Sequence, residues 1–276
     1  MKFWKHSLMS RLVGRFSLLS MVAVFGVGAI AFWQAKSTLE TLVLEHLEVS
    51  ATLKASALDR WVRHRREETM ALAALPELRD RTDILRSADE ASAEFVAARA
   101  EIQKILRSAV VGRSDWVQVA VLSGGEGKIW VSTDRSRQGE YRDREPYFMA
   151  GRQETFVQNP YLSWGANEPT MTGATPLRNS KGESIAVLVV DLNLAKIDEI
   201  VDVRTGLGDR SKAYLIDRSG QVVGGRGLAQ SDPSEKLKTP QIDGVLAGED
   251  GSGFYLNDAG IPTIGVYRWV EAPELA

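Results

Sequence analysis

The sequence predicts a membrane-anchored α+β protein: an N-terminal transmembrane helix, a long stalk helix and two antiparallel sheet units in tandem. Three observations carry this reading. An uncharged apolar run near the N-terminus is long enough to cross a bilayer. The stretch 34–85 that follows has no glycine and keeps helical spacing. From Asp115 onward the apolar period changes to alternation broken by glycine-containing turns.

The apolar run is Phe16 to Trp33, eighteen residues without a charge, and at helical rise it covers roughly 27 Å, the thickness of the hydrocarbon core. It exceeds the length of an ordinary signal-peptide core, so an uncleaved anchor is the reading preferred over a cleaved leader. Lys2, Lys5, Arg11 and Arg15 precede it and Lys36 follows, which by the positive-inside rule places Met1 in the cytoplasm and the remainder outside. The net charge of −2 hides this asymmetry: residues 1–39 carry +5 and the rest of the chain −7.

Between Gln34 and about Leu85 apolar residues recur at Leu39, Val43, Leu47, Leu58, Trp61 and Val62, which predicts one long helix. Its stripe is narrow and suits either a packing face or a dimer seam. A second amphipathic helix is predicted over Ala91 to Val110, with Phe95, Ala98, Ile102, Ile105, Leu106 and Ala109 on one side. Beyond Asp115 the segments Trp116–Leu122 and Ile129–Thr133 flank the turn Ser123-Gly-Gly-Glu-Gly-Lys128 and read as a hairpin. Strands are predicted at Phe156–Leu162, Thr170–Leu177 and Ser184–Asp191, and a short helix at Leu194–Val203. A second, smaller unit opens at Ala213–Gly224 and ends with the strands at Gly253–Asn257 and Thr263–Val270.

Several function classes are excluded. Cysteine is absent, which removes disulfides, thiolate nucleophiles and thiolate metal sites. The histidines are His6, His46 and His64, too few and too scattered for a multi-histidine metal centre, and no cofactor is expected. Ser123–Lys128 lacks the first glycine of a P-loop, and Val223-Gly-Gly-Arg-Gly227 does not open a helix. Neither a G-x-S-x-G nor an H-E-x-x-H segment occurs, so the chain is read as a non-enzyme. The acidic outward part argues against nucleic acid.

Three segments then resemble the double Cache family, the extracytoplasmic sensor domains of bacterial chemoreceptors, histidine kinases and diguanylate cyclases. They are Tyr141-Arg-Asp-Arg-Glu-Pro-Tyr-Phe148, Val157-Gln-Asn-Pro-Tyr-Leu162, and the hairpin from Thr175 through Asn179-Ser-Lys-Gly182 to the strand ending at Asp191. The resemblance spans roughly residues 37–270. It implies two PAS-like sheets along the long helix, with residues 1–15 cytoplasmic, 16–35 transmembrane, 36–110 helical, 111–205 a membrane-distal sensor unit and 206–276 a membrane-proximal unit. It further implies a bacterial inner membrane, and the stripe Leu39, Val43 and Leu47 continuing from the span predicts a homodimer. A receptor of this kind continues into a second span and an output module, so the expectation is that any kinase or cyclase activity lies in a part beyond Ala276.

The same resemblance places a ligand site in the distal unit. Arg144, Tyr147 and Asp191 match the Arg, Tyr and Asp that grip the ligand in amino-acid-binding members, while Pro146 stands in place of a Trp and Gly139 in place of an upstream Tyr. Arg144 offers a planar fork for a carboxylate and Asp191 a partner for an ammonium group. Tyr147 and Tyr161 would form aromatic walls, and Trp130 or Trp164 a lid or floor. The expected ligand is a small molecule, an amino acid or another carboxylate. Each residue also has a structural alternative: Arg144 as a solvated loop arginine, Tyr147 as core, Asp191 as the cap of the helix near Leu194, and the tryptophans as core or interface. Tyr214, Asp217 and Tyr255 are second candidates in the proximal unit. The alternative function is a membrane-tethered scaffold or adhesion module without a small-molecule ligand.

Overall fold

The computed structural model describes residues 8–162, 169–203, 211–217, 220–225, 244–257 and 260–270. It divides into two units, Met1–Val49 and Ser50–Ala276. Helix α1, Leu8–Ala73, is 66 residues long and runs through the boundary. In the first unit the apolar run is bare: Phe16, Val24, Phe25, Ile30 and Trp33 are 69–77% exposed. It is long and apolar enough to cross a membrane by length and composition.

The single long helix expected to reach Leu85 is corrected: α1 ends at Ala73 and α2 spans Pro76–Ser87. Pro76 sits at the first turn of α2, and Leu75 before it is extended at φ −60°, ψ 122°. A proline has no N–H to continue α1, and its ring forces the preceding residue out of the helical region. Helix α3, Ala93–Val110, starts where the Ser92 hydroxyl accepts the Phe95 amide at 3.1 Å.

The second unit is built on one antiparallel sheet of strands β1 (Trp116–Ser123), β2 (Ile129–Ser132), β3 (Phe156–Leu162), β4 (Pro169–Arg178) and β5 (Ser184–Asn193). Their order is β2-β1-β5-β4-β3. Strand alternation gives the sheet two faces. Val119, Val121, Met171, Leu177, Leu188, Val190 and Leu192 pack with Leu58, Trp61 and Val62 of α1, Leu78 and Leu85 of α2, and Phe95, Ile102 and Leu106 of α3. Ala120, Leu122, Ala174, Val187 and Val189 face the other way and pack with Tyr147 and Phe148 of the short helix α4, Pro146–Gly151. Strand β2 serves both faces because its register slips opposite Val121 and Leu122. Val131 therefore joins the first cluster and Ile129 the second.

Two glycines bring the second face together. A Cβ on Gly151 would lie 2.5 Å from the Ala174 Cβ, so only glycine lets α4 rest on β4. Gly127, at φ 66°, would place a Cβ 2.7 Å from the Asp143 amide. Its carbonyl accepts the Arg142 amide at 2.9 Å, which pins the segment leading into α4 against the β1–β2 turn.

Helix α5, Ala195–Asp202, follows β5 and buries Ile197 and Val201. The reading of Asp191 as its cap is corrected: the Asn193 side chain accepts the Ala195 amide at 2.8 Å, while Asp191 points elsewhere. Lys54 of α1 donates to the Val201 carbonyl at the end of α5. Beyond it the described residues form two antiparallel pairs, β6 (Leu215–Ile216) with β7 (Val222–Gly224), and β8 (Gly251–Leu256) with β9 (Pro262–Tyr267). In the second pair Tyr267 lies over Gly251 and Tyr255 over Gly265, so aromatic rings cover the glycines across the strands.

Candidate ligand site

The strand register places Gln118 of β1 beside Asp191 of β5, Asp191 beside Thr172 of β4, and Thr172 beside Gln158 of β3. A polar row thus crosses four strands on the α4 face. The neighbouring row along the same face is Ala120, Val189, Ala174 and Phe156. One end of this face is oily and the other is hydrogen-bonding.

Asp191 is the centre of the row. Its side chain is 14% exposed. One carboxylate oxygen accepts from the Thr172 hydroxyl at 2.7 Å, and Thr172 in turn stands 2.7 Å from the Tyr161 hydroxyl. A carboxylate only accepts, so the single Thr172 proton is committed to Asp191 and Tyr161 is the donor to Thr172. The other Asp191 oxygen faces Arg137 Nη1 at 3.7 Å. Burial raises the Asp191 carboxyl above its ordinary range, against the Thr172 hydrogen bond and the charges of Arg137 and Arg142. Glu145 adds to the upward shift.

The aromatic wall is formed by Tyr147 and Tyr161, whose rings are 6.4 Å apart and inclined by 29°. The Tyr147 amide, in the first turn of α4, donates to Gln158 Oε1 at 3.0 Å, which ties the helix to β3. A register slip between Gln158 and Tyr161 sets the latter ring over the row. Burial pushes the Tyr161 hydroxyl up to about 12, with Asp191 adding to it. Tyr147 is raised for the same leading reason. Both phenols remain neutral donors in the physiological range.

Two guanidiniums approach the carboxylate. Arg137 closes a 3-10 turn, Arg135–Arg137, started by Asp134, which accepts the Ser136 amide at 3.0 Å. Its Nη1 donates to Gln118 Oε1 at 2.8 Å. Arg142 pairs with Glu140 and acts on Asp191 through its charge. Gln118 is held by a 2.8 Å bond from its Nε2 to Ser132 Oγ. The polar network continues to α3, where Gln103 donates to the Ser132 carbonyl at 2.7 Å and accepts from Gln138 at 2.9 Å.

Of the residues expected from sequence, Asp191, Tyr147 and Tyr161 are brought together. Arg144 is exposed on the segment before α4. Trp130 packs against the helix-facing cluster and lines a cavity of about 520 Å³ with Leu85, Lys128 and Ile185, away from Asp191. Trp164 lies outside the described residues. Of the second candidates, Tyr214 is 38% exposed, and Asp217 shapes a turn by accepting the Gln221 amide at 3.0 Å. A larger groove of about 830 Å³ is lined by Leu72, Leu75, Ile105 and Trp116 on the helical side of the sheet. Among the described residues no group of three or more His, Asp or Glu side chains is placed to hold a metal ion.

Sequence reasoning missed Gln118, Thr172 and Arg137. The first two carry a signal, since each is the polar member of an otherwise apolar strand face once register with Asp191 is known. Arg137 carries none, because its approach depends on the path of the loop after β2.

A five-stranded antiparallel sheet packed on helices, with a buried carboxylate on its other face, is what this geometry defines. The family model described as a Cache domain, of the double Cache type, matches residues 34–275, and the chain belongs to that family. A search of curated protein sequences gives no match. Among solved structures the chain is similar to the ligand-binding domain of the Campylobacter jejuni chemoreceptor Tlp3 in complex with L-valine, at 17% identity and a TM-score of 0.60, covering 86% of this chain and 92% of that one. It is also similar to the ligand-binding domain of the Pseudomonas aeruginosa PAO1 amino acid chemoreceptor PctC in complex with GABA, at 18% identity and a TM-score of 0.54, covering 80% and 90%. A third similar structure is the extracellular domain of soHK1S-Z6, assigned as a histidine kinase, at 17% identity and a TM-score of 0.57, covering 87% and 94%. At these identities the likeness establishes the fold.

Proposed function

We propose that the chain is the extracytoplasmic sensing module of a membrane-anchored bacterial receptor, and that it binds a small organic ligand bearing an ammonium group at Asp191. The observation that carries this is the polar row Gln118–Asp191–Thr172–Gln158 beneath a stacked pair of tyrosines. A protein that needed only a packed sheet face has no use for a buried carboxylate there, because its desolvation opposes folding. The ammonium would donate to Asp191, and the apolar body would lie against Tyr147 and Tyr161. A ligand carboxylate, where present, would meet the guanidiniums of the segment 137–144. The ligands of two similar chemoreceptor domains, L-valine and GABA, both pair an ammonium with a carboxylate.

The anchor reading rests on the bare apolar run of α1, whose exposure to water would be strongly unfavourable and whose exposure to lipid is not. The basic residues before it put the N-terminus in the cytoplasm and the sheet unit outside. Two copies would pair along the stripe that includes Leu39, which is 62% exposed.

The test is a thermal-shift screen of the full chain in lipid nanodiscs against amines, amino acids and carboxylates. A cognate ligand at a hundred times its dissociation constant adds about 2.7 kcal/mol to stability. A shift by an ammonium-bearing compound that is lost in Asp191→Asn is the expected result. No shift across the library would favour the tethered scaffold.

A further inference from the structure

The Arg137 nitrogen that faces Asp191 makes a short hydrogen bond to a neutral partner instead. A guanidinium beside a buried carboxylate ordinarily closes to about 2.8 Å, since that bond is charge-assisted and roughly twice as strong as one to a neutral acceptor. Here Nη1 reaches the neutral Gln118 amide at 2.8 Å and stops 3.7 Å from Asp191 Oδ2. That separation allows Coulomb attraction and no hydrogen bond. Gln118 has little freedom to yield, because its residue is only 8% exposed and its Nε2 is bound to Ser132 Oγ. Asp191 is fixed as well, through Oδ1 to Thr172. The result is a carboxylate oxygen with a cation standing opposite at the distance of a loose ion pair. Arg137 itself retains 21% side-chain exposure and stems from a surface turn, so it has a way out toward water.

Building on the site proposed above, we infer that Arg137 is an internal occupant of the ammonium subsite, held back from full contact by Gln118, which a ligand's cationic nitrogen must displace from Asp191. There is no room for a second cation between Nη1 and Oδ2. A ligand nitrogen that donates to Oδ2 therefore replaces the guanidinium, and its compact charge makes the short bond that Gln118 denies to Arg137. Two consequences follow for selectivity. Ligands that lack a cationic nitrogen do not dislodge Arg137, so simple carboxylates are rejected at this subsite. Ligands that carry one bind with an apparent affinity reduced by the fraction of molecules in which Arg137 covers Asp191. Gln118 is a positioning residue that sets this fraction.

The probe is ethylammonium chloride, titrated against the full chain in nanodiscs with sodium chloride as the ionic-strength control, and read by thermal shift. Arg137→Met keeps the apolar stem and removes the competing charge. It should bind ethylammonium about tenfold more tightly than the wild type, which is one decade in dissociation constant, and the gain should vanish in Arg137→Met/Asp191→Asn. Gln118→Ala moves the other way: it frees Arg137 to close on Asp191, so ethylammonium should bind more weakly than to the wild type. Opposite signs at two residues that touch each other are not expected from a purely structural role. Binding by Arg137→Met that is equal to, weaker than, or as undetectable as that of the wild type overturns the inference, as does a gain that survives Asp191→Asn. If Arg137→Met misfolds, Gln118→Ala decides alone, with unchanged or tighter binding counting against it. A tightening in Arg137→Met while no amino acid or amine of the library shifts the wild type would leave the internal occupant standing and remove the sensing role. A wild-type ligand lost in Asp191→Asn with no gain in Arg137→Met would do the reverse.

Discussion

The two faces of the five-stranded sheet are made by alternate residues of the same strands, and they behave differently. Toward the helices, Val119, Val121, Met171, Leu188, Val190 and Leu192 give a largely apolar surface, with Thr175 beside Leu188, buried under α1, α2 and α3. Toward α4 the apolar pattern holds at Ala120, Val189 and Ala174 and then gives way to Gln118, Asp191 and Thr172. The first face is where folding free energy comes from, at roughly 25 cal/mol per Å² of apolar surface removed from water. The second gives up part of that gain to hold a carboxylate in fixed geometry. The proposed binding chemistry therefore sits on the less favourable face of a sheet whose other face makes the fold secure.

Substitutions that exchange the properties of the faces test this contrast. The largest effect is expected at the helical face: Leu188→Ala, at a fully buried position, should cost about 2–5 kcal/mol of stability by transfer and cavity terms, measured by thermal or denaturant unfolding of the full chain. Asp191→Asn should do the opposite to stability while reducing binding of an ammonium ligand by about 2 kcal/mol or more. The sign follows from the raised Asp191 carboxyl. Between the ordinary carboxylate value of the unfolded chain and the higher folded value, the native state holds more protons, so its stability falls as pH rises through that window. Above the window the wild type bears the full cost of a buried charge. The Asp191→Asn variant bears none, so the stability difference in its favour should grow on going from acid to neutral pH. A wild type that gains on the variant over that range would contradict the assignment of Asp191 as a desolvated carboxylate facing Thr172, Arg137, Arg142 and Glu145.

Smaller effects come from the supports. Thr172→Val removes the hydroxyl that orients Asp191 and should weaken binding by about 0.5–1.5 kcal/mol, the net worth of one hydrogen bond, measured calorimetrically with the same ligand. The smallest is expected at Arg144, which is exposed. Arg144→Ala should change stability by less than about 0.5 kcal/mol, as surface substitutions usually do, and a larger loss would mean that the loop before α4 depends on it.

Much of this was legible in the sequence, for reasons that differ by residue. The strands of the sheet show as alternation, and the β1–β2 turn as a glycine cluster, because both are local signals. Continuous helical spacing and the absence of glycine carry the predicted helix past Pro76 to Leu85, whereas the backbone restriction that proline puts on Leu75 ends α1 at Ala73. Asp191 and Tyr147 enter as candidates through the family motif and Tyr161 as an aromatic wall, and the structure sets the three side by side. Thr172 and Gln118 needed register, which no single strand records. Arg144 and Arg137 are separated by seven positions in a loop, and the backbone bonds of Gly139 and Glu140 to Ile129 and of Arg142 to Gly127 set its path and with it which arginines turn toward the sheet.

The most direct measurement is isothermal titration of the full chain in nanodiscs with the compound that most raises its melting temperature, repeated on Asp191→Asn and on Leu188→Val. The account predicts a ligand carrying an ammonium group, an affinity lower by about thirtyfold or more in Asp191→Asn, and an affinity unchanged in Leu188→Val despite its lower stability. A cognate ligand that binds equally well to Asp191→Asn and loses affinity in Leu188→Val would contradict it, and would move the binding site to the helical face.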